Sequence, residues 1–234
     1  MKMKHIMAID TATDVLHLAL CTPTSITSVT QFMGRSYSEK LVLKMKEMCE
    51  DQAIALKDLE LIVCSEGPGS FTGLRIGLSA AKGVALAADI PLVSIPTLQI
   101  YAYPLKDLSI PILSMIDAKK GRFYTSLFEK EKCLIPAQDS SIAYLVTSLS
   151  HYDEIFVTGV EPSRGFNKLC DEVTKQGVKT KYYLDSLEYR DYGESMIILG
   201  KDLLSERGAD PLGKGPTYIR KSDAEVSLEH THKK

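Results

Sequence analysis

Gly67, Gly69 and Gly73 fall within seven residues of the stretch SEGPGSFTGLR, Ser65 to Arg75. A predicted strand, Leu59–Cys64, runs into this stretch, and a predicted helix, Thr72–Ala88, leaves it. Backbone N–H groups at a helix amino end, together with the helix dipole, can hold an anion, and Arg75 would add a positive charge. The stretch is not a P-loop, because Leu74 and Arg75 stand where a lysine and a hydroxyl would follow the last glycine. Its GxGxxxG spacing also differs from the dinucleotide fingerprint. Ser70 sits in the loop with neither a GxSxG elbow nor a companion histidine. The same residues equally suit a tight strand-to-helix turn whose glycines supply positive φ. Spacing alone does not separate the two readings.

Other clusters have the same double character. Asp10-Thr11-Ala12-Thr13-Asp14 ends the first predicted strand, where a carboxylate and hydroxyls can position a metal-bound phosphate. Such residues are equally at home in an ordinary β-turn. Asp117-Ala118-Lys119-Lys120-Gly121 is a comparable turn. The five histidines show neither HExxH nor HxxxH spacing, so a protein-built zinc or iron site is not expected. Lys214–Lys221 is a short basic segment with one tyrosine. It could touch RNA phosphates, but a solvated tail is the favoured reading.

These clusters must be positioned by a mixed set of elements. Lys4–Asp10, Val15–Leu20 and Ser25–Phe32 read as strands joined by short turns. A helix over Ser38–Leu56 follows, capped by Ser36 or Ser38, with Leu41, Met45 and Met48 on one stripe. After the glycine loop and its helix comes a strand at Pro91–Ile95. The second half offers strands at Ile110–Ile116, Arg122–Phe128 and Glu154–Val157, and helices at Pro162–Gln176 and Tyr192–Glu206. A meander followed by crossover units implies mixed β-sheets flanked by helices, an α/β architecture.

The helix after the glycine loop has an unusual composition. Nine of its sixteen residues from Gly73 to Ala88 are Gly, Ala or Ser. Gly77 and Gly83 lie in its interior, where each should cost about 1 kcal/mol relative to alanine. Gly73, Gly77, Ala81 and Ala85 recur every fourth residue and form a flat strip that lets a neighbour approach closely. Met45 and Met48 on the preceding helix add adaptable contact surface. Together the two helices suggest an oligomer or partner face.

The bulk numbers allow this reading and narrow it. With 234 residues, 44% of them hydrophobic, the chain can bury one large core or two modest ones. A net charge of -2 lacks the basic field of a solitary nucleic-acid binder. Five scattered cysteines without a CxxC pair point to a reducing, cytoplasmic setting. Neither a signal peptide nor a membrane-length apolar run is read in the sequence.

The blocks AIDTAT, GPGSFTGLRIGLSAAKGVALA, IPTL, IDAKKGRFY and PTYIRKSDAE, in this order between about Met7 and Glu225, resemble the bacterial TsaB (YeaZ) family. The central block carries most of the resemblance. It implies an actin-like (ASKHA, ribonuclease-H-like) fold of two related lobes, residues 1–103 and 104–208, with an irregular tail at 209–234. The last helix, 192–206, is free to pack back on the first lobe. The resemblance implies a noncatalytic scaffold in making threonylcarbamoyladenosine, the modified base beside the anticodon of tRNAs reading codons that start with A. The implied partners are a TsaD-like catalytic subunit, which holds the metal, a TsaE-like ATPase and a second copy of the chain, with tRNA as substrate of the complex. TsaC supplies the threonylcarbamoyl-adenylate. On this resemblance, Leu41, Met45, Met48, Gly73, Gly77, Ala81 and Ala85 form the partner face. Asp10, Thr11, Thr13, Gly67, Gly69, Ser70, Gly73 and Arg75 mark a vestigial nucleotide cleft. No cofactor or metal is implied beyond weak ATP or ADP at the partner interface. The competing readings are an actin-like kinase or ATPase and a glycoprotein-directed peptidase.

Overall fold

Apolar runs bounded by Asp and Thr place the first strands close to where their sequence predicts them. The computed structural model describes residues 5–34 and 37–220, with the side chains of 37–39 outside that description. Lys4, the cap candidate Ser36 and the motif residues Lys221–Glu225 therefore lie outside the described residues. Strands β1 (Ile6–Asp10), β2 (Val15–Cys21) and β3 (Ile26–Phe32) form an antiparallel meander. Helix α1 (Tyr37–Asp51) leads to β4 (Leu61–Gly67), and α2 (Phe71–Ala88) leads to β5 (Leu92–Pro96). Strands β4 and β5 add in parallel beside β1, giving the sheet order β3-β2-β1-β4-β5.

The second half repeats that plan. After the short helix α3 (Thr97–Ala102) come β6 (Ile112–Asp117), β7 (Arg122–Glu129), β8 (Lys132–Ser141), α4 (Ile142–Ser148), β9 (Glu154–Gly159), α5 (Ser163–Gln176) and β10 (Lys181–Leu184). Their sheet runs β10-β9-β6-β7-β8, with β6, β7 and β8 antiparallel and β9 and β10 parallel beside β6. Counted within each half, both sheets have the order 3-2-1-4-5. The sequence likeness between the halves is loose, but the topology is the same.

Three cores hold the layers together. Met7 and Ile9 point to one face of the first sheet, where Leu41, Met45, Leu78 and Ala81 of α1 and α2 cover them. Ile6 and Ala8 point the other way, into a core shared with α3, with Ile112 and Ile116 of the second sheet and with the last helix, α6 (Gly193–Arg207). Helices α4 and α5 cover the remaining face of the second sheet through Leu145 and Leu169. Helix α6 thus returns to the first sheet. Added Cβ atoms at Gly193 and Gly200 would overlap Ala19 and Val63, which shows how closely α6 lies on the strands.

Helix α1 is shorter than its apolar spacing predicts. It ends at Asp51, Ala53 takes a positive φ of 55°, and Leu56 belongs to a separate 3-10 turn, Leu56–Asp58. Residues 209–220 have no regular structure, yet the part from Lys214 to Arg220 is not the solvated tail expected of it. The Asp210 N–H donates to the Leu92 carbonyl at 2.8 Å, and the Asp210 carboxylate accepts from the Ser94 N–H at 2.6 Å. Lys214 pairs with Glu66 at 2.6 Å, and the Thr217 N–H donates to the Glu66 carbonyl at 2.7 Å. Residues 210–220 therefore form a strap laid over the chain.

His17, opposite Asp10 in the β1–β2 register, is buried in the shared core. Its Nδ1 lies 3.1 Å from the Thr30 hydroxyl, and its ring stands edge-on to Tyr192 at 5.1 Å. Burial lowers its pKa, outweighing the opposing charges of Asp10 and Asp191. Below the ordinary histidine value of about 6.5 the unfolded chain takes up a proton that the folded chain does not, so stability falls with pH. We expect chemical unfolding at a series of pH values to show this loss, and His17→Gln to flatten it between about pH 7 and 5.5.

Candidate functional site

The ends of β1, β4 and β6 meet at a cleft of about 370 Å³ between the two sheets. Its walls are the 12–14 turn, the glycine loop, the β6–β7 turn, the first residues of α5 and the strap. Thr13, Gly69 and Ser70 line it. Lys119, Lys120, Arg164 and Arg220 bring positive charge, countered by Asp14, Asp117 and Glu161. Arg164 pairs with Glu161 at 3.1 Å, and Arg220 lies 3.5 Å from Asp139.

The other expected nucleotide contacts do not line the cleft. Asp10 is fully buried, and both of its carboxylate oxygens are engaged: one accepts the Ala12 N–H at 2.8 Å, the other the Tyr101 hydroxyl at 2.7 Å. Burial and the Asp10 charge raise the Tyr101 pKa, so the phenol stays protonated and keeps donating. Thr11 is also buried, its hydroxyl donating to the Gly73 carbonyl at 2.8 Å. Arg75 lies over the Phe71 ring at 4.0 Å and donates from Nε to the Tyr218 hydroxyl at 2.9 Å. Its charge is therefore held beside the strap. Among the described residues, no group of three His, Cys, Asp or Glu could hold a metal.

The glycines serve close approach more than backbone freedom. Only Gly67 of the loop has a left-handed φ, 117°, and the strap's Thr217 carbonyl occupies the place of its missing side chain. Added Cβ atoms at Gly69 and Gly73 would overlap the carbonyls of Ala12 and Thr11, and one at Gly77 would overlap the Thr11 hydroxyl. The Ser70 N–H donates to the Ala12 carbonyl at 2.6 Å, and the Ser70 hydroxyl caps α2 by accepting the Gly73 N–H. Donors that a phosphate would need are thus partly spent on the 10–13 turn.

The residues expected to form a partner face pack within the chain itself. Gly73, Gly77, Ala81 and Ala85 are buried against the chain's own sheet and turn. Leu41, Met45 and Met48 are buried in the same core. The flat strip admits the chain's own 10–13 turn at Gly73 and Gly77. The free surface of the two helices lies on their outer side. There Val42, Leu56, Ser79, Ala80, Gly83 and Ala87 line a groove of about 550 Å³. Val42, Leu43 and Leu86 are 47%, 53% and 68% exposed. Ser79, Gly83 and Ala87 also recur every fourth residue, as a second small-residue stripe on α2. The interior glycine at 83 was the available signal, since nothing lies within 4 Å of the Cβ it lacks.

Two mixed sheets of the same order, each flanked by helices and facing one cleft, define the actin-like, ribonuclease-H-like class of proteins. The family model described as "TsaD: tRNA N6-adenosine threonylcarbamoyltransferase" matches residues 25–153, more than half of the chain. The tRNA threonylcarbamoyladenosine biosynthesis protein TsaB of Bacillus subtilis is 27% identical over 97% of this chain and 99% of its own length. A tRNA N6-adenosine threonylcarbamoyltransferase of Bacillus thuringiensis is 36% identical over 91 residues, 38% of this chain and 26% of that protein. The crystal structure of a Pseudomonas aeruginosa protein described as similar to the peptidase YeaZ superposes with a TM-score of 0.73. It is 18% identical and covers 93% of this chain and 100% of that one. The chain belongs to the TsaB/YeaZ family of tRNA threonylcarbamoyladenosine biosynthesis proteins.

The two stripes of α2 make opposite predictions for one substitution. Gly77→Ala forces atoms together in a close-packed site and should lower stability by about 1–3 kcal/mol. Gly83→Ala meets open space and should raise it by up to about 1 kcal/mol through helix propensity. Urea unfolding of both variants beside the parent protein checks the signs.

Proposed function

We propose that this chain is a noncatalytic scaffold for threonylcarbamoylation of the adenosine next to the anticodon in tRNAs reading codons that start with A. It docks a TsaD-like catalytic subunit on the outer groove of α1 and α2, with a TsaE-like ATPase joining the assembly. In the absence of that subunit, a second copy takes the same groove. The observation that carries the reading is the groove itself. It is apolar, it is floored by Ala80, Gly83 and Ala87, and Val42, Leu43 and Leu86 stand exposed on the same two helices. Exposed apolar patches of this kind mark association surfaces, and small floor residues let another backbone come near.

The cleft supports the noncatalytic part of the reading. Actin-like phosphotransfer would need a carboxylate free to position a metal, and the Asp10 carboxylate is fully engaged by Tyr101 and Ala12. Nucleotide, where it binds, does so weakly at the partner interface. Among the described residues no helix is long and apolar enough to cross a membrane.

The test is reconstitution with a TsaD-like subunit, a TsaE-like ATPase, threonylcarbamoyl-adenylate and tRNA. Omitting this chain should reduce modified tRNA at least about tenfold, the effect of losing about 1.4 kcal/mol of stabilisation. Equal modification without it would refute the proposal. Gly83→Arg and Ala87→Arg should abolish co-elution with the TsaD-like subunit while leaving the thermal midpoint nearly unchanged. Magnesium-ATP turnover by the isolated chain would instead favour the kinase or ATPase reading.

A further inference from the structure

The strap divides into a part that is anchored and a part that is only latched. The anchor is Asp210. Burial alone would raise its pKa, but the Ser94 hydroxyl and N–H and the Lys214 ammonium together hold it low. Arg207 also pairs with it at 2.9 Å. Lys214 is gripped by Glu66, and Lys82 donates to the Leu212 and Lys214 carbonyls. Gly213 and Gly215 flank Lys214, are exposed and have nothing within 4 Å of their missing Cβ positions. Beyond them no residue from Pro216 to Arg220 is buried, so this end can leave without uncovering a core of its own.

Two side chains fasten that end, one to each half of the molecule. Tyr218 stacks on Phe71 of α2 with ring centroids 4.5 Å apart and accepts from Arg75. Arg220 reaches the second sheet, donating to the Ala118 carbonyl at 3.1 Å and facing the Asp139 carboxylate. Between these latches the Thr217 carbonyl covers Gly67, and residues 217–220 form one wall of the interlobe cleft. The Thr217 N–H bond to the Glu66 carbonyl also ties the backbone of this end to the glycine loop.

We propose that residues 216–220 are a lid over the interlobe cleft, hinged at Gly213–Gly215 and held shut by Tyr218 on the first sheet's side and Arg220 on the second's. The lid bridges two loops: the glycine loop with the start of α2, and the β6–β7 turn. Releasing either latch frees the lid as a unit and opens both loops. This inference does not depend on the identity of the subunit docked at the outer groove.

Hydrogen exchange on the full chain tests it, comparing the parent protein with Tyr218→Ala and Arg220→Ala. Each variant should speed exchange roughly tenfold in both 66–73 and 117–122, including the segment its own side chain does not touch, while α6 and β1 keep their protection. About 1 M salt, where the screening length is about 3 Å, should reproduce the Arg220→Ala pattern in the parent protein. If each variant loosens only its own neighbouring segment, or if salt has no effect, the lid is refuted. Accelerated exchange across α6 would also refute it, by making the strap a staple of the whole fold. Because the latches stand on opposite sides, either variant decides the matter if the other fails to fold.

Discussion

The 10–13 turn lies so close to α2 that no side chain fits at Gly69, Gly73 or Gly77. Much of the molecule follows from that approach. It sets the entry of α2 through the Ser70 cap and the bond from Ser70 to Ala12. It also turns the Gly73–Ala85 stripe inward, so that Leu74, Leu78 and Val84 share the buried side of the helix. The interior glycines that look expensive on helix propensity are repaid at Gly77 by contact with Thr11. Gly83 has no such return inside the chain, and the open groove beside it is where a return from outside would come.

The same approach shapes what the cleft of this actin-like fold presents. The β1 carboxylate is drawn under the surface, where Tyr101 of α3 donates to it. Tyr101 sits in the core shared by both sheets, its ring tilted against that of Tyr192 at 4.6 Å, so it cannot swing away without disturbing the start of α6. At the start of α2 the Ser70 N–H is taken by the Ala12 carbonyl and the Gly73 N–H by the Ser70 hydroxyl, and Arg75 is held over Phe71. What remains facing the cleft is a set of near-balanced charges, most of them on the second sheet's side.

Periodicity in the sequence located most elements because burial follows it closely. β1 and β4 are almost wholly buried runs, and α2 carries a continuous apolar pattern. Elements that defy the pattern were hidden. β8 is a polar edge strand with Pro136 within it, and its register with β7 shifts; proline within a run argues against a strand. β10 has only four residues at the other edge. At the site, residue type singled out the glycine loop and the 10–14 turn separately, and the family resemblance brought them to one place. They did not show which way a stripe of small residues faces. Gly77 and Gly83 have the same local signature, and only the position of Thr11 tells them apart. The strap was hidden for a related reason: its ties to Glu66, Ser94 and Asp139 come from residues far away in sequence.

The return of α6 to the first sheet bears on how the molecule is made. During synthesis on the ribosome, Ile6, Ala8, Val15, Ala19, Leu61 and Val63 emerge early, while their cover, Tyr192, Met196 and Ile197, emerges after the whole second sheet. The part of that face which α3 and β6 do not cover must therefore wait, apolar, through the translation of roughly half the chain. Nascent chains with such surfaces are prone to aggregate and depend on chaperones until the covering segment arrives. The order of emergence thus makes the amino-terminal half a client of its own last helix.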